Sequence, residues 1–89
     1  MKSYLISFKL NDKDLYDSVA STLRTYPKWA CVIDNVWIVC TDDKLVDIRE
    51  KISNSISGNG VVMVMDISGD AWGTYSVSRE VTDWMKTNV

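Results

Sequence analysis

The chain has 89 residues, of which 46% are apolar and 25% are charged, a composition typical of one folded domain rather than of a disordered segment. It contains no histidine, which excludes histidine-based catalytic triads, cysteine–histidine nucleophiles and histidine-based zinc sites. The formal net charge of −2 argues against broad, non-specific DNA binding, which needs a basic surface.

The first two elements are predicted to be a strand and a helix. Apolar residues alternate over Ser3–Leu10, which predicts a strand. A polar turn follows, in which Asp12 or Asp14 is suited to cap a helix. Helical spacing over Leu15–Tyr26 predicts that helix, and Pro27 ends it because proline disfavours helical geometry in the preceding residue.

A hairpin and a second helix are predicted next. Trp29–Ile33 and Val36–Thr41 have strand patterns and are joined by Asp34-Asn35, two residues that tolerate positive φ. Helical spacing returns over Leu45–Ile56, and we expect Thr41-Asp42-Asp43 to cap this helix.

The last part of the chain is predicted to form a strand, a loop and a short helix. Val61–Ile67 alternates, Gly69–Gly73 is a glycine-bounded loop, and four apolar residues then recur at helical spacing: Val77, Val81, Trp84 and Met85. The order strand–helix–strand–strand–helix–strand predicts an α+β ferredoxin-like βαββαβ fold. Residues 1–89 would form a single domain with a four-stranded antiparallel sheet, two main helices on one face and a short C-terminal helix.

The second face of the predicted sheet reads apolar as well. Both faces of the strands carry apolar side chains, whichever face the helices cover: one set includes Leu5, Val62 and Val64, and their neighbours in sequence form the other. The rings of Trp29 and Trp37 add apolar surface that has to be covered. We therefore expect a homodimer built on the uncovered sheet face or on the edge strand. The alternative is that the C-terminal segment folds over this face and covers it alone.

Cysteine usage and the absence of long apolar stretches favour a cytoplasmic protein with no membrane partner. Cys31 and Cys40 flank the hairpin turn, and we expect them to be buried and reduced rather than bridged. No window approaches the roughly 20 apolar residues that a membrane span requires, and the start of the chain lacks the apolar core of a signal peptide.

Several short segments carry a resemblance to a known family. They are Tyr4-Leu5-Ile6-Ser7, Val36-Trp37-Ile38-Val39, Thr41-Asp42-Asp43, Asp47-Ile48-Arg49, Gly69-Asp70-Ala71-Trp72-Gly73 and Trp84-Met85-Lys86. Together they resemble small bacterial and phage proteins related to the CRISPR-associated integration-complex subunit, the smaller partner of the integrase. The resemblance implies a ferredoxin-like domain that dimerises, and some members of the family are reported to be metal-dependent nucleases acting on RNA or DNA.

The chain departs from that family at the residue implied to bind the metal. The family's presumed ligand is an aspartate at the end of the first strand, after an aromatic residue, and the matching residue after Phe8 is Lys9. Because Mg²⁺ and Mn²⁺ need anionic oxygen ligands, an ammonium group at this position repels the ion. We therefore expect a binding module without catalysis, metal or cofactor, which recognises a nucleic acid, a nucleotide or a protein.

The candidate binding residues are Lys9, Asn11, Arg24, Asp70 and Trp72. Two copies of Lys9 at a dimer axis could contact an anion, although a strand-end lysine more often only stays in water and protects an edge. Trp72 lies in the glycine-bounded loop and is the tryptophan best placed for a partner or ligand, whereas tryptophans more often fill a small core or an interface.

Three alternatives remain open at this point. The first is a metal-dependent endonuclease that uses Asp12, Asp66 or Asp70 in place of the missing aspartate. The second is a regulatory or sequestering protein that binds a small anionic signal nucleotide at a dimer interface. The third is an interaction subunit that caps another complex through its apolar sheet face and Trp72.

Overall fold

The computed structural model describes all residues, 1–89, and it confirms the predicted order of elements. A single 3-10 turn, Lys13–Leu15, leads into the first helix. The strands are β1 (Lys2–Leu10), β2 (Lys28–Ile33), β3 (Val36–Thr41) and β4 (Gly60–Asp66), and the helices are α1 (Tyr16–Leu23), α2 (Leu45–Ile56) and α3 (Arg79–Asn88).

The four strands form one sheet in the order β2–β3–β1–β4, and all neighbouring strands are antiparallel. Each βαβ unit therefore encloses a strand of the other unit: β3 lies between β1 and β2, and β1 lies between β3 and β4. This arrangement is the ferredoxin-like α+β fold that the sequence predicts. β2 and β4 are the two edges of the sheet.

The core lies between one face of the sheet and the helices α1 and α2. Cross-strand partners such as Tyr4 and Val39, or Ile6 and Trp37, place their side chains on this helix-covered face. The helices contribute Val19, Ala20 and Leu23 from α1 and Ile48, Ile52 and Ile56 from α2, all of which are buried there. The twelve buried members of the core are Tyr4, Ile6, Phe8, Val19, Ala20, Leu23, Tyr26, Trp37, Val39, Ile48, Ile52 and Ile56.

Neither of the two main helices has the side-chain cap predicted for it. Asp12 caps as predicted, but it caps the 3-10 turn, where its carboxylate accepts the Asp14 N–H at 2.9 Å. Thr41-Asp42-Asp43 does not cap α2, so that prediction is wrong. Thr41 is still part of β3, its hydroxyl accepts the Asp43 N–H at 3.1 Å, and α2 begins after Lys44 without a side-chain cap.

The hairpin has the predicted two-residue connection but not the predicted backbone geometry. Neither Asp34 nor Asn35 has a positive φ. Instead, β2 carries a bulge between Cys31 and Ile33. A bulge increases the local twist of a strand, so the hairpin closes without the left-handed residues of a tight primed turn.

The C-terminal segment, residues 67–89, covers most of the second sheet face. Ala30, Ile38 and Cys40 point to this face and are buried. The segment is tied down at both ends: Ser3 N–H donates to Ser68 Oγ at 2.8 Å, and Ser3 Oγ donates to the Asn88 carbonyl at 2.7 Å. The C-terminal segment therefore covers the second face over β2 and β3, as the alternative prediction has it. The expectation that the whole second face is uncovered is wrong.

The tryptophans and cysteines of the hairpin are divided between the two faces. Trp29 and Trp37 both lie on the helix-covered face, with ring centroids 5.5 Å apart, so neither ring adds to the second face. Cys31 opposes Trp37, whereas Cys40 opposes Lys28 and points to the other face. Both cysteines are free thiols.

Candidate functional site

The part of the second face that the C-terminal segment leaves open is a row of apolar side chains on β4. Val61, Met63 and Met65 are 67%, 51% and 49% exposed, respectively. They alternate with Val62 and Val64, which pack against the core on the other face. We call Val61, Met63 and Met65 the β4 strip. A run of exposed apolar residues on one edge strand is typical of an interaction surface.

The backbone of β4 is also open along its outer side, because β4 pairs only with β1. Its register with β1 runs without a bulge from Asp66 to Gly60, and Val61–Met65 contains no charged residue and no proline. The other edge strand, β2, has a bulge, begins with Lys28 and contacts α3. Bulges and edge lysines prevent strand addition, so β2 is protected and β4 is not.

Lys9 lies beside one end of the β4 strip. It pairs with Val61 across the β1–β4 ladder, so its side chain leaves the sheet on the same face as the strip. It is exposed and forms no salt bridge with Asp or Glu. Asn11 follows at the same end of the sheet, where its N–H donates to the Asn59 carbonyl at 2.9 Å. The structure therefore places Lys9 and Asn11 near each other and near the β4 strip.

Arg24 belongs to a different surface. It follows α1 on the helix-covered side of the sheet, and its guanidinium carbon lies 5.8 Å from the Trp29 ring centre and 5.6 Å from the Trp37 ring centre. Such cation–π contacts hold the guanidinium in place. Arg24 and Lys9 lie on opposite faces, so they do not form a joint anion site.

Asp70 and Trp72 line a groove of about 330 Å³ between the loop after β4 and the second sheet face. Trp72 is 37% exposed, and the opposite wall includes Ile38 and Met85, both of which are buried. The groove is mostly apolar, and Asp70 is its only charged side chain. The two residues predicted from the loop are therefore brought together, but away from Lys9.

The three carboxylates of the nuclease alternative do not form one cluster. Asp66 pairs with Tyr4 near the start of β1, whereas Asp12 follows the end of β1, about 20 Å away along the strand. The Asp66 carboxylate accepts the Ser68 N–H at 3.0 Å and lies 3.7 Å from Lys2 Nζ. The Ser68 hydrogen bonds, and secondarily Lys2, lower the pKa of Asp66. No group of three or more Asp, Glu, Cys or His side chains is arranged to hold a metal ion.

Comparison with known proteins adds no relative. No protein family, no curated protein and no solved structure matches the chain significantly. The resemblance to the CRISPR-associated family therefore stays a prediction. The helices are all too short to span a membrane, since the longest of them, α2, has 12 residues.

The binding residues predicted from the sequence do not include the β4 strip. Its signal was present in the sequence, because Val61, Met63 and Met65 alternate in a strand without any charged residue on that face. What the sequence did not reveal is that the C-terminal segment stops short of this strand and leaves it exposed.

Proposed function

We propose that this chain is a non-catalytic binding module that forms a homodimer by pairing the β4 edges of two copies. The observation that carries the proposal is the unprotected β4 edge together with the exposed β4 strip. An edge of this kind pairs readily with another strand, and a second copy of the same strand is always at hand. Twofold symmetry would make the pairing antiparallel.

The sequence of β4 suits antiparallel pairing with itself. With Met63 on the twofold axis, Val61 lies opposite Met65 of the second copy, and Val62 lies opposite Val64. Asp66, the only charged residue of β4, lies opposite Gly60, so no like charges meet. The β4 strips of both copies would lie side by side across the joined strands and form one continuous apolar surface on one face of the sheet, still open to a partner.

The same geometry places the two copies of Lys9 at opposite ends of the joined strip. Strand spacing of about 4.8 Å and a rise of about 3.4 Å per residue put them roughly 20 Å apart. That distance is too large for both to contact one phosphate, which favours an extended partner over a single nucleotide. The strip offers no aromatic ring on which bases could stack, which favours an apolar, acidic segment of a protein over single-stranded nucleic acid.

The dimer is tested by measuring the mass of the protein in solution, by light scattering and native mass spectrometry, over a range of concentrations. We expect the wild-type chain to be a dimer and Met63→Lys to be a monomer with unchanged circular dichroism. Ile33→Lys is the matched control, because Ile33 is 55% exposed on the protected edge strand β2, and it should stay a dimer. A wild-type monomer at all concentrations, or a dimeric Met63→Lys variant, would contradict the pairing.

The absence of catalysis and the kind of partner are tested separately. Protein purified gently without chelators should show no Mn²⁺-dependent cleavage of RNA or DNA, and cleavage lost in Asp12→Ala or Asp66→Ala would favour the nuclease alternative. A dimer carrying a few hundred daltons of extra mass would favour the signal-nucleotide alternative.

Lys9→Glu should weaken binding to a captured acidic partner without unfolding the protein, and unchanged binding would leave Lys9 without a role.

A further inference from the structure

The C-terminal segment is held on the second sheet face by few polar contacts. Beyond Ser68, the Asn88 carbonyl is its only group that is hydrogen-bonded to the rest of the chain, and it accepts from Ser3 Oγ at 2.7 Å and from Cys40 Sγ at 3.6 Å. The ion pairs of α3 all lie within α3. The segment is therefore tied near its two ends, and no hydrogen bond or ion pair joins it to the sheet between them.

The loop between these ties, residues 71–78, is not stabilised by hydrogen bonds of its own. None of its backbone N–H groups donates a hydrogen bond within the chain. Ser76 has a φ of 60°, a left-handed conformation that costs free energy in a residue other than glycine. Rearranging this loop would break no such bond and would relieve this backbone conformation, so the loop does little to keep α3 in place.

The apolar packing of α3 is also weaker than that of the two main helices. Met85 is its only buried residue, whereas α1 and α2 each contribute three. Clefts of about 330, 320 and 150 Å³ lie between the C-terminal segment and the sheet, but no cavity is lined by the buried residues of α1 or α2. Gaps of this kind forfeit dispersion contacts, so α3 is held less firmly than the other helices.

We propose that the C-terminal segment opens as a unit after Ser68 while the sheet, α1 and α2 stay folded. Gly69 has a φ of 73° and space around it, which suits the point where the chain swings away. Opening uncovers the apolar side chains of Ala30 and Ile38 and the thiol of Cys40, all of which are buried in the closed form. The segment is thus an autoinhibitory cover of the second face.

The uncovered surface would be continuous with the β4 strip. Leu5 lies between the two, because it pairs with Ile38 on one side and with Met65 on the other. Any partner that uses this larger face has to displace the segment, so its apparent affinity falls in proportion to the fraction of open molecules. The segment lies over β2 and β3, whereas the dimer would use β4, so opening does not depend on the proposed dimer.

The test is the rate at which iodoacetamide alkylates Cys40, measured by mass spectrometry at one protein concentration. Cys31→Ser leaves Cys40 as the only thiol and keeps a donor to the Ile33 carbonyl. Global unfolding alone would allow the rate of the urea-unfolded chain multiplied by the unfolded fraction in water. We expect Cys40 to react at least about tenfold faster than this limit, because local opening requires less free energy than unfolding. The rate should depend only weakly on low urea concentrations, since little surface is exposed.

Two further variants, both in the Cys31→Ser background, separate the cover from the core. Met85→Ala removes the one buried side chain of α3 and should speed the alkylation of Cys40 about tenfold or more, while amide exchange in α2 stays unchanged. Ile52→Val is the control, because Ile52 is fully buried on α2, away from the C-terminal segment. It should lower the urea midpoint without changing the alkylation rate of Cys40.

Three results would overturn the proposal. The first is alkylation of Cys40 no faster than global unfolding allows, with the urea dependence of global unfolding. The second is a Met85→Ala variant in which amide exchange in α2 and alkylation of Cys40 speed up equally. The third is an Ile52→Val variant in which Cys40 reacts faster in proportion to the lost stability. None of these results bears on the mass of the protein in solution, so the proposed dimer is tested separately.

Discussion

Tyr26 follows α1 and has the only buried side-chain polar atom without a hydrogen-bond partner, its hydroxyl oxygen. The ring belongs to the core and is 4% exposed, and Lys51 Nζ lies 4.7 Å from the ring centre. Burial, and to a smaller extent the charges of Asp43 and Asp47, raises the pKa of Tyr26 to about 12. The hydroxyl therefore costs stability, while the ring contributes to it.

Replacing Tyr26 with phenylalanine is expected to stabilise the protein at neutral pH. The variant keeps the ring and its contact with Lys51, and it removes a buried hydroxyl that lost its water without gaining a partner. We expect the free energy of unfolding to rise by about 1 kcal/mol. Urea denaturation at pH 7 measures the change, and a loss of stability would mean that the hydroxyl has a partner in solution.

The same variant should respond less to alkaline pH. In the unfolded chain Tyr26 ionises near pH 10, whereas in the folded chain it stays protonated up to about pH 12. Because the pKa of Tyr26 is higher in the folded chain than in the unfolded chain, its contribution to stability is fully present below about pH 10. That contribution is lost as the pH rises to about 12. The wild type should therefore lose stability between pH 10 and 12 more steeply than Tyr26→Phe, as urea midpoints would measure.

At the scale of elements, β4 begins where two backbones come close together. A Cβ atom added to Gly60 would lie 2.5 Å from the Lys9 carbonyl oxygen, so only glycine fits there without a shift of β1 or β4. Gly73, in the loop over the second face, has open space around it and no positive φ. Gly60 is therefore required by close packing, whereas Gly73 is not.

We expect Gly60→Ala to lower the free energy of unfolding by about 1–3 kcal/mol, since the added methyl group has to push backbone rather than a flexible side chain. Gly73→Ala should change it by less than about 0.5 kcal/mol. Thermal and urea denaturation of the two variants side by side would check this. Equal effects would show that the close approach of Gly60 to Lys9 is relieved at no cost.

The elements themselves were predictable because each has a clear hydrophobic period, as in the alternation of Ser3–Leu10 and the helical repeat of Leu45–Ile56. The cap of α2 was not, because Thr41 suits both a strand end and a helix cap, and its pairing with Lys2 keeps it in β3. Part of the cover of the second face comes from residues 67–78, which have no hydrophobic period from which their position could be predicted. Likewise, the sequence could not place Lys9 and Arg24 on opposite faces, because that depends on how α1 packs on the sheet.

At the scale of the whole molecule, a β4–β4 dimer would couple folding to association. The two chains would then unfold together, so the apparent stability depends on protein concentration. A tenfold increase in concentration should stabilise the dimer by about 1.4 kcal/mol and raise the midpoint of thermal unfolding by a few degrees. Met63→Lys should unfold at the same temperature at every concentration. A wild-type midpoint that does not move with concentration would speak against the coupling.

The unequal protection of the two edges also decides how large an assembly can become. A sheet that is open at both sides accepts another copy at each side and grows into a fibre. In this chain, pairing through β4 would consume the open side of both copies and leave only the two β2 edges outside, each with its bulge and its lysine. Addition would then stop at a closed pair, so the same strand that would make self-association possible would also give it a definite end.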